Sequence, residues 1–442
     1  MPSFIIYPLA FVVVLGIMIL VHEFGHYAVA KALGVRVEVF SIGFGKRLLG
    51  FRRGDTDYRI SAIPLGGYVK MSGENPMDDR TGDPAEFLSH PRWHRFLIAI
   101  AGPAMNILLA ICLLTGVYMV HYEYPAIFDE PTVIGWVIKD SAAAKAGIQA
   151  GDRIVRIDDT TNPDWEQVEQ KEALSPGQAL PVTVERAGKN LDFTVVPEAT
   201  GVDQIGFAGW TAKEKNITIT ELQPGMPAEK AGMKVGDVIL TADGQPVPAL
   251  AALVDALEHT KDKPVDFTVL RNGQTLHFTV KPVLSDSRYR IGVGSLQTKV
   301  TALPFPQALK LSLERNRSAS FLIIELVRKM LEGKISTRSI EGPIRIGQAA
   351  GEAASQKGWT PLLELTAAIS LNLGIFNLLP IPILDGGVIL FLFIETVMRR
   401  DISLRIKERV YQAAFVFLVL FAAMVIFNDL QKTLPGVMQR LP

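Results

Sequence analysis

The sequence holds a single cysteine, Cys112, so no intrachain disulfide exists. Cys112 lies in an apolar run, where a small hydrophobe buried in packing is the expected reading. Neither charge is in excess, since 45 Lys and Arg balance 45 Asp and Glu. Without a basic surplus there is no electrostatic case for nucleic acid as a partner. Low-complexity tracts are missing, and histidine is scarce at seven residues in 442. The most telling shortage is local. Between Met1 and Val21 there is no charged side chain, and then His22, Glu23 and His26 fall within five positions.

What the chain has instead is long hydrophobic runs. Apolar residues make up 48% and mean hydropathy is +0.25. Four stretches, 5–33, 96–120, 365–396 and 410–428, reach the roughly 20 apolar residues that cross a bilayer. The first lacks the basic flank and small-residue cleavage site of a signal peptide, so a retained helix is expected. Arg36, Lys46, Arg47, Arg52, Arg53, Arg59 and Lys70 separate the first two runs, and Arg399, Arg400, Arg405, Lys407 and Arg409 the last two. Basic loops stay cytoplasmic, which sends both termini and residues 121–360 to the other face. An ionisable group at membrane depth costs about 2.5–3.5 kcal/mol on insertion scales and persists mainly where it has a task.

The long external segment repeats itself. "AKAGIQAGDRIVRID" (144–158) overlays "EKAGMKVGDVILTAD" (229–243) at a shift of 85, and "VTVERAGKNLDFTVVP" (182–197) overlays "FTVLRNGQTLHFTVKP" (267–282). Each copy reads as a short helix, a Gly-Asp turn, a strand, a second helix and a hairpin. The doubled A-x-x-A-G-hydrophobic-x-x-G-D run resembles the permuted PDZ domain, with copies at 132–198 and 216–283. Such domains take an extended chain as an added strand. Peptide recognition and exclusion of bulky substrates are both open.

On a helix His22 and His26 share one face. With Glu23 they form the H-E-x-x-H pattern, in which two imidazoles hold a metal and a carboxylate serves as base. A catalytic zinc takes three protein ligands, so a third is needed at similar depth. Asp385 is the only acid between Glu364 and Glu395. Pro380 and Pro382 break the helix ahead of it, and Gly386 and Gly387 relax the chain after it. Irregular backbone at membrane depth implies an internal polar site. Asn372 and Asn377 near the break bind substrate backbone or an oxyanion, or join helices.

These motifs together, with G-P-x-x-N at 102–106, "FSIGFGKRL", "IPLGGYVKM", "NLGIFNLLPIPILDGG" and the closing "FND" (427–429), resemble the site-2 protease family of intramembrane metalloproteases over nearly the whole chain. The resemblance implies zinc on His22, His26 and Asp385, with Glu23 as general base. It also implies a re-entrant β-region at 35–95, with Gly43, Gly45 and Asn106 among the substrate-binding residues. Relatives commonly have His after L-D-G-G, where this chain has Val388.

The expected fold is therefore an α-helical polytopic membrane protein. It has four transmembrane helices (1–34, 96–120, 361–398, 410–428), two inserted α+β PDZ domains and a membrane-associated β-hairpin region. Residues 303–360 form an amphipathic helix, whose uncharged core at 318–324 is too short to span, and a segment that guides substrate or merely links. By resemblance the enzyme sits in a bacterial inner membrane with its PDZ domains periplasmic and its active site near the cytoplasmic side. There it cuts a single-span protein already trimmed by an upstream site-1 protease, of the anti-sigma factor type, or leftover signal peptides. The rival reading is a PDZ-based scaffold or stress sensor with a vestigial metal site.

Overall fold

The computed structural model describes residues 3–74, 82–200, 205–214, 217–285, 288–295, 297–333, 342–356 and 358–438. The chain divides into two units. Met1–Tyr122, Thr301–Val327 and Ile340–Pro442 form one, and Glu123–Val300 with Arg328–Ser339 the other. In chain order the helices and first strands are α1 (Ser3–Ala32), β1 (Val37–Arg53), β2 (Thr56–Met71) and α2 (Arg92–Val120). Four short helices follow in the second unit: α3 (Ala142–Ala146), α4 (Trp165–Ala173), α5 (Pro227–Lys230) and α6 (Leu250–Thr260). Then come α7 (Phe305–Leu331), α8 (Pro343–Ser355), α9 (Thr360–Asn377), α10 (Asp385–Met398) and α11 (Leu404–Met438).

Among the described residues, three helical stretches are long and apolar enough to cross a membrane: Ile6–Ala32, Arg92–Val120 and Leu404–Gln431. The run expected as the third of four spans is not one helix. α9 stops at Asn377, residues 378–384 run through turns holding Pro380 and Pro382, and α10 starts at Asp385. Proline has no N–H to give and its ring clashes one turn back, so the helix ends here. A Cβ on Gly386 would lie 2.2 Å from the Leu379 carbonyl oxygen, and one on Gly387 2.4 Å from that of Ile381. Only glycine lets the turns fold back onto the start of α10.

Cys112 corrects a second expectation. It is exposed on the outer face of α2. An apolar helix that meets hydrocarbon has no need to bury such a side chain within the protein.

β1 and β2 fold into four strand segments because each bends midway. Residues 39–42 pair with 57–60 on one side and with 67–70 on the other, while 47–53 pair with 56–61. The sheet therefore ends on Gly67–Met71, and that end lies against α1. A Cβ on Gly67 would sit 3.4 Å from the Ile19 side chain and 3.5 Å from that of Glu23.

The other helices of this unit support α1 and α2. In α7, Ser312 Oγ donates to the Ile111 carbonyl at 2.9 Å, and Ala319 and Ile323 pack with Ala110. α8 lies along α1, with Gly347 against Phe11 and Gly351 against Tyr7. Its start is capped by the buried Asp429 of α11, which accepts from Gly342 N at 2.9 Å and Ile344 N at 3.0 Å. Of the segment expected to guide substrate, residues 339–341 lie outside the described residues.

In the second unit the repeat reappears as structure. Strands Arg153–Ile157, Leu180–Arg186 and Lys189–Val195 form one antiparallel sheet. Val238–Ala242, Val265–Arg271 and Gln274–Val280 form its counterpart 85 residues on. Each copy buries its own core, around Ile154, Val182 and Val184 in the first and Ile239, Phe267 and Val269 in the second.

Candidate active site

The last turns of α1 carry His22 and His26 on one face, as the four-residue spacing requires. α10 brings the Asp385 carboxylate to them from its first turn. His22 Nε2 lies 3.2 Å from Asp385 Oδ2, His26 Nε2 lies 3.4 Å from Asp385 Oδ1, and the two Nε2 atoms are 3.2 Å apart. Among the described residues this trio is the one set of His, Cys, Asp or Glu side chains whose ligand atoms converge, all within 4.8 Å. Two imidazoles and a carboxylate are donors that zinc takes, and three protein ligands leave a coordination position open.

Two neighbours tune the trio. His26 Nδ1 donates to the Ile98 carbonyl at 2.7 Å, so in the neutral imidazole Nε2 is the nitrogen without a proton, and it is aimed at Asp385. Gly102 of α2 faces both rings. A Cβ there would lie 2.2 Å from His26 Nε2 and 2.9 Å from His22 Cε1. The hollow between the rings is kept open by the absence of a side chain.

The trio and Glu23 lie on a cavity of about 600 Å³. Ile19, Phe44, Gly66, Gly67 and Val69 line it beside them, and Glu74, Arg95, Glu395, Lys407 and Tyr411 also line it. Glu395 is 1% exposed and takes Lys407 Nζ at 2.6 Å. A hydrolase needs such a polar chamber to bring water to a site flanked by apolar helices.

With that geometry in place, comparison with known proteins is decisive. The model of peptidase family M50 matches residues 10–421. This chain belongs to peptidase family M50. It is a zinc metalloprotease of the site-2 type. Regulator of sigma-E protease RseP of Escherichia coli (strain K12) is 32% identical, over 96% of this chain and 98% of that one. Relatives from Vibrio cholerae and Neisseria meningitidis, 35% and 31% identical over 96% of this chain and 98% and 99% of theirs, carry zinc metalloprotease in their names. Among solved structures, the PDZ domain of the SdrC-like protein from Listeria monocytogenes covers 19% of this chain and 90% of that one. Its identity is 15% and its TM-score 0.17, too slight a likeness to carry an argument.

The M50 chain distributes its other sequence-expected site residues unevenly. Asn377 and Val388 line the cavity, and Asn372 does not. Asn106, expected to touch substrate, is fully buried, and its Nδ2 lies 3.2 Å from His22 Nδ1. It faces the histidine because α2 packs that side against α1. Its Oδ1 is buried without a hydrogen-bond partner. A half-turn of the amide puts Oδ1 where it accepts from His22 Nδ1–H and gives that oxygen its partner. Both histidines then carry their proton on Nδ1 and present Nε2 to the hollow. Gly43 and Gly45 are also off the cavity. They hold left-handed turns at φ 90° and 85°, and Phe44 between them reaches the cavity instead.

Sequence reasoning passed over Glu74, Arg95, Gly67 and the Glu395–Lys407 pair. Glu395 alone gave a signal, as an acid inside "FLFIETVM". The others depend on contacts across the fold.

Proposed function

We propose that this chain is an intramembrane endopeptidase whose zinc is held by Nε2 of His22, Nε2 of His26 and a carboxylate oxygen of Asp385. The observation that carries the reading is the convergence of these three atoms from α1 and α10 on a hollow that Gly102 keeps clear. When bound, zinc supplies Lewis acidity to the scissile carbonyl and lowers the pKa of a water. Glu23 takes the attacking water's proton on its carboxylate and returns it to the departing amide nitrogen. Asn106 holds the proton of His22 on Nδ1, as the Ile98 carbonyl does for His26. Gly67–Met71, the outer strand beside Glu23, accepts an unwound substrate segment as an added strand.

We read α9 and α10 as one interrupted crossing, giving four spans with the basic loops cytoplasmic, in a bacterial inner membrane. The two repeat copies are read as external PDZ domains. The substrate is the transmembrane segment of a single-span protein trimmed beforehand by a site-1 protease. The E. coli relative is named a regulator of sigma-E, which favours a substrate of the anti-sigma factor type; leftover signal peptides are the other candidate. An intact ligand-and-base set speaks against a scaffold with a vestigial site.

The test is cleavage of a single-span model substrate by purified protein together with zinc analysis. Asp385→Ala is expected to lose cleavage and most of the zinc. A zinc stoichiometry that stays at one after dialysis against a mild chelator puts the third ligand elsewhere. Replacing 132–283 by a short linker is expected to keep cleavage and to admit untrimmed substrate. A folded, zinc-loaded deletion that still discriminates fully rules out exclusion of bulky substrates by the repeat copies.

A further inference from the structure

α11 stands between two hollows. Lys407 and Tyr411 line the cavity of the metal trio, whereas Arg409, Ala413 and Phe417 line a separate groove of about 450 Å³. The two sets are offset by two residues, which places them on opposite sides of a helix. The facing wall of the groove is the turn between α9 and α10, through Pro380 and Pro382. No residue lines both hollows.

The groove is apolar except at one end. Arg409 is its only charged lining residue. Arg409, Ala413 and Phe417 step by four, so they run down one side of α11 over about 12 Å in the order cation, methyl, ring. The basic side chains around that end are not equally engaged. Lys407 gives Nζ to Glu395 at 2.6 Å, and Arg92 Nη2 meets Asp401 at 2.8 Å. Arg409, and Arg405 one turn before it, are exposed and meet no carboxylate among the described residues. A cation at the rim of an apolar groove complements a molecule with an anionic head and a hydrocarbon body. Arginine's planar fork takes two phosphate oxygens at once. The facing wall also needs cover. Irregular backbone at membrane depth is tolerated where something shields it, and Pro380 is exposed while Ile381 and Pro382 are half-exposed.

We propose that the groove between α11 and the 378–384 turns seats a phospholipid of net negative charge, with its phosphate on Arg409 and an acyl chain along Ala413 and Phe417 against the two prolines. The inference rests on reading α11 as a span that starts at the cytoplasmic face. A zwitterionic lipid has the same phosphate and chains, but its ammonium group offsets the charge, so the two arginines favour the anionic class. Seated there, the chain packs on the turns that lead into Asp385.

The experiment uses zinc-loaded full-length protein in detergent, with phosphatidylglycerol and phosphatidylcholine of matched acyl chains, and reads bound lipid by native mass spectrometry. Cleavage is not involved, so failure here leaves the protease reading untouched. Wild type is expected to hold one phosphatidylglycerol at least about fivefold more tightly than phosphatidylcholine, and Arg409→Gln to abolish that preference. Ala413→Trp, whose ring fills the groove, is expected to lose the tightly held lipid. Arg400→Gln, in the same basic loop but off the groove, is expected to keep it. Equal binding of the two lipids by wild type, or an equal loss in Arg400→Gln, overturns the proposal. Displacement by glycerol phosphate alone overturns it in favour of a bare anion site, and one-for-one displacement by a synthetic transmembrane peptide in favour of a substrate groove. Should the variants fail to fold, wild type decides. Phosphatidylglycerol, and not phosphatidylcholine, is expected to slow hydrogen exchange at residues 378–384, and no slowing overturns the proposal.

Discussion

Asp152 and Asp237 of the repeated unit and Asp385 of the membrane unit are met by their surroundings in opposite ways. In the repeated unit, Asp152 receives Arg186 through Nε at 2.6 Å and Nη2 at 2.7 Å, and also Gln149 N at 2.8 Å. Asp237 receives Arg271 at 2.6 and 2.8 Å and Lys234 N at 2.9 Å. Each arginine also reaches a glycine carbonyl, Gly147 or Gly232, and stacks on Phe193 or Phe278. Both carboxylate oxygens are used and both side chains are 1% exposed. In the membrane unit, Asp385 meets no arginine and no backbone donor among the described residues. It faces two histidines at 3.2 and 3.4 Å and is 21% exposed to the cavity. A carboxylate whose lone pairs are filled by protein donors fixes a turn. One left facing imidazoles across an open hollow is ready for a metal.

The sharpest way to break that comparison is to remove the membrane unit's base while keeping its shape. Glu23→Gln is expected to lower turnover by about a thousandfold or more, with zinc retained at one per chain by elemental analysis. Turnover near wild type removes Glu23 from the mechanism. Next, Gly102→Ala fills the hollow without touching a donor. Its methyl group meets His26 Nε2, and zinc binding measured by chelator competition is expected to collapse. Gly347→Ala, where the nearest atom is Phe11 at 3.7 Å, is expected to keep zinc.

On the other side of the comparison, Asp152→Ala and Asp237→Ala are expected to leave zinc and cleavage chemistry intact. Each should lower the melting temperature of the repeated unit by roughly 5–10 °C, because a half-buried arginine and a turn amide lose their partner together. For Asp237 the arginine also holds the carboxyl below its ordinary pKa. An effect on zinc from either variant would erase the distinction between the two classes of acid.

The smallest effect concerns Glu172, which belongs to neither class. Burial pushes its carboxyl up to about 7 from an ordinary 4.5, against the opposing pull of Ala208 N–H and Trp210 Nε1–H. The folded copy therefore holds this proton more tightly than the unfolded chain does. The stabilisation is full below about pH 4.5 and is lost as pH rises through about 7. Thermal melts of the repeated unit between pH 5 and 8 are expected to show that decline, and Glu172→Gln to flatten it. A wild-type profile that is already flat places the carboxyl at its ordinary value.

Much of the site was legible in one dimension. The spacing of His22 and His26 puts both on one helix face, and the scarcity of acids in the third apolar run singled out Asp385. The two prolines announced the break between α9 and α10. The repeat gave the paired sheets, and Arg186 and Arg271 stand at the same shift of 85 as Asp152 and Asp237. Each of these follows from periodicity, exclusion or self-similarity, which act over short separations and leave a pattern in the letters.

Asn106, Gly102, Gly67 and Glu172 were decided elsewhere. Asn106 was read toward substrate and turned out to face His22, 84 residues away in sequence. Gly43 and Gly45 shape a turn, while Phe44 between them reaches the cavity. Glu172 reads as an ordinary helix-surface acid until the strand 36 residues later supplies its two donors. No spacing rule reaches that far. Which side of α2 meets α1, which strand ends the sheet, and which acid is walled in are set by packing, where burial and hydrogen-bond satisfaction across the fold choose among positions that the local pattern leaves equal.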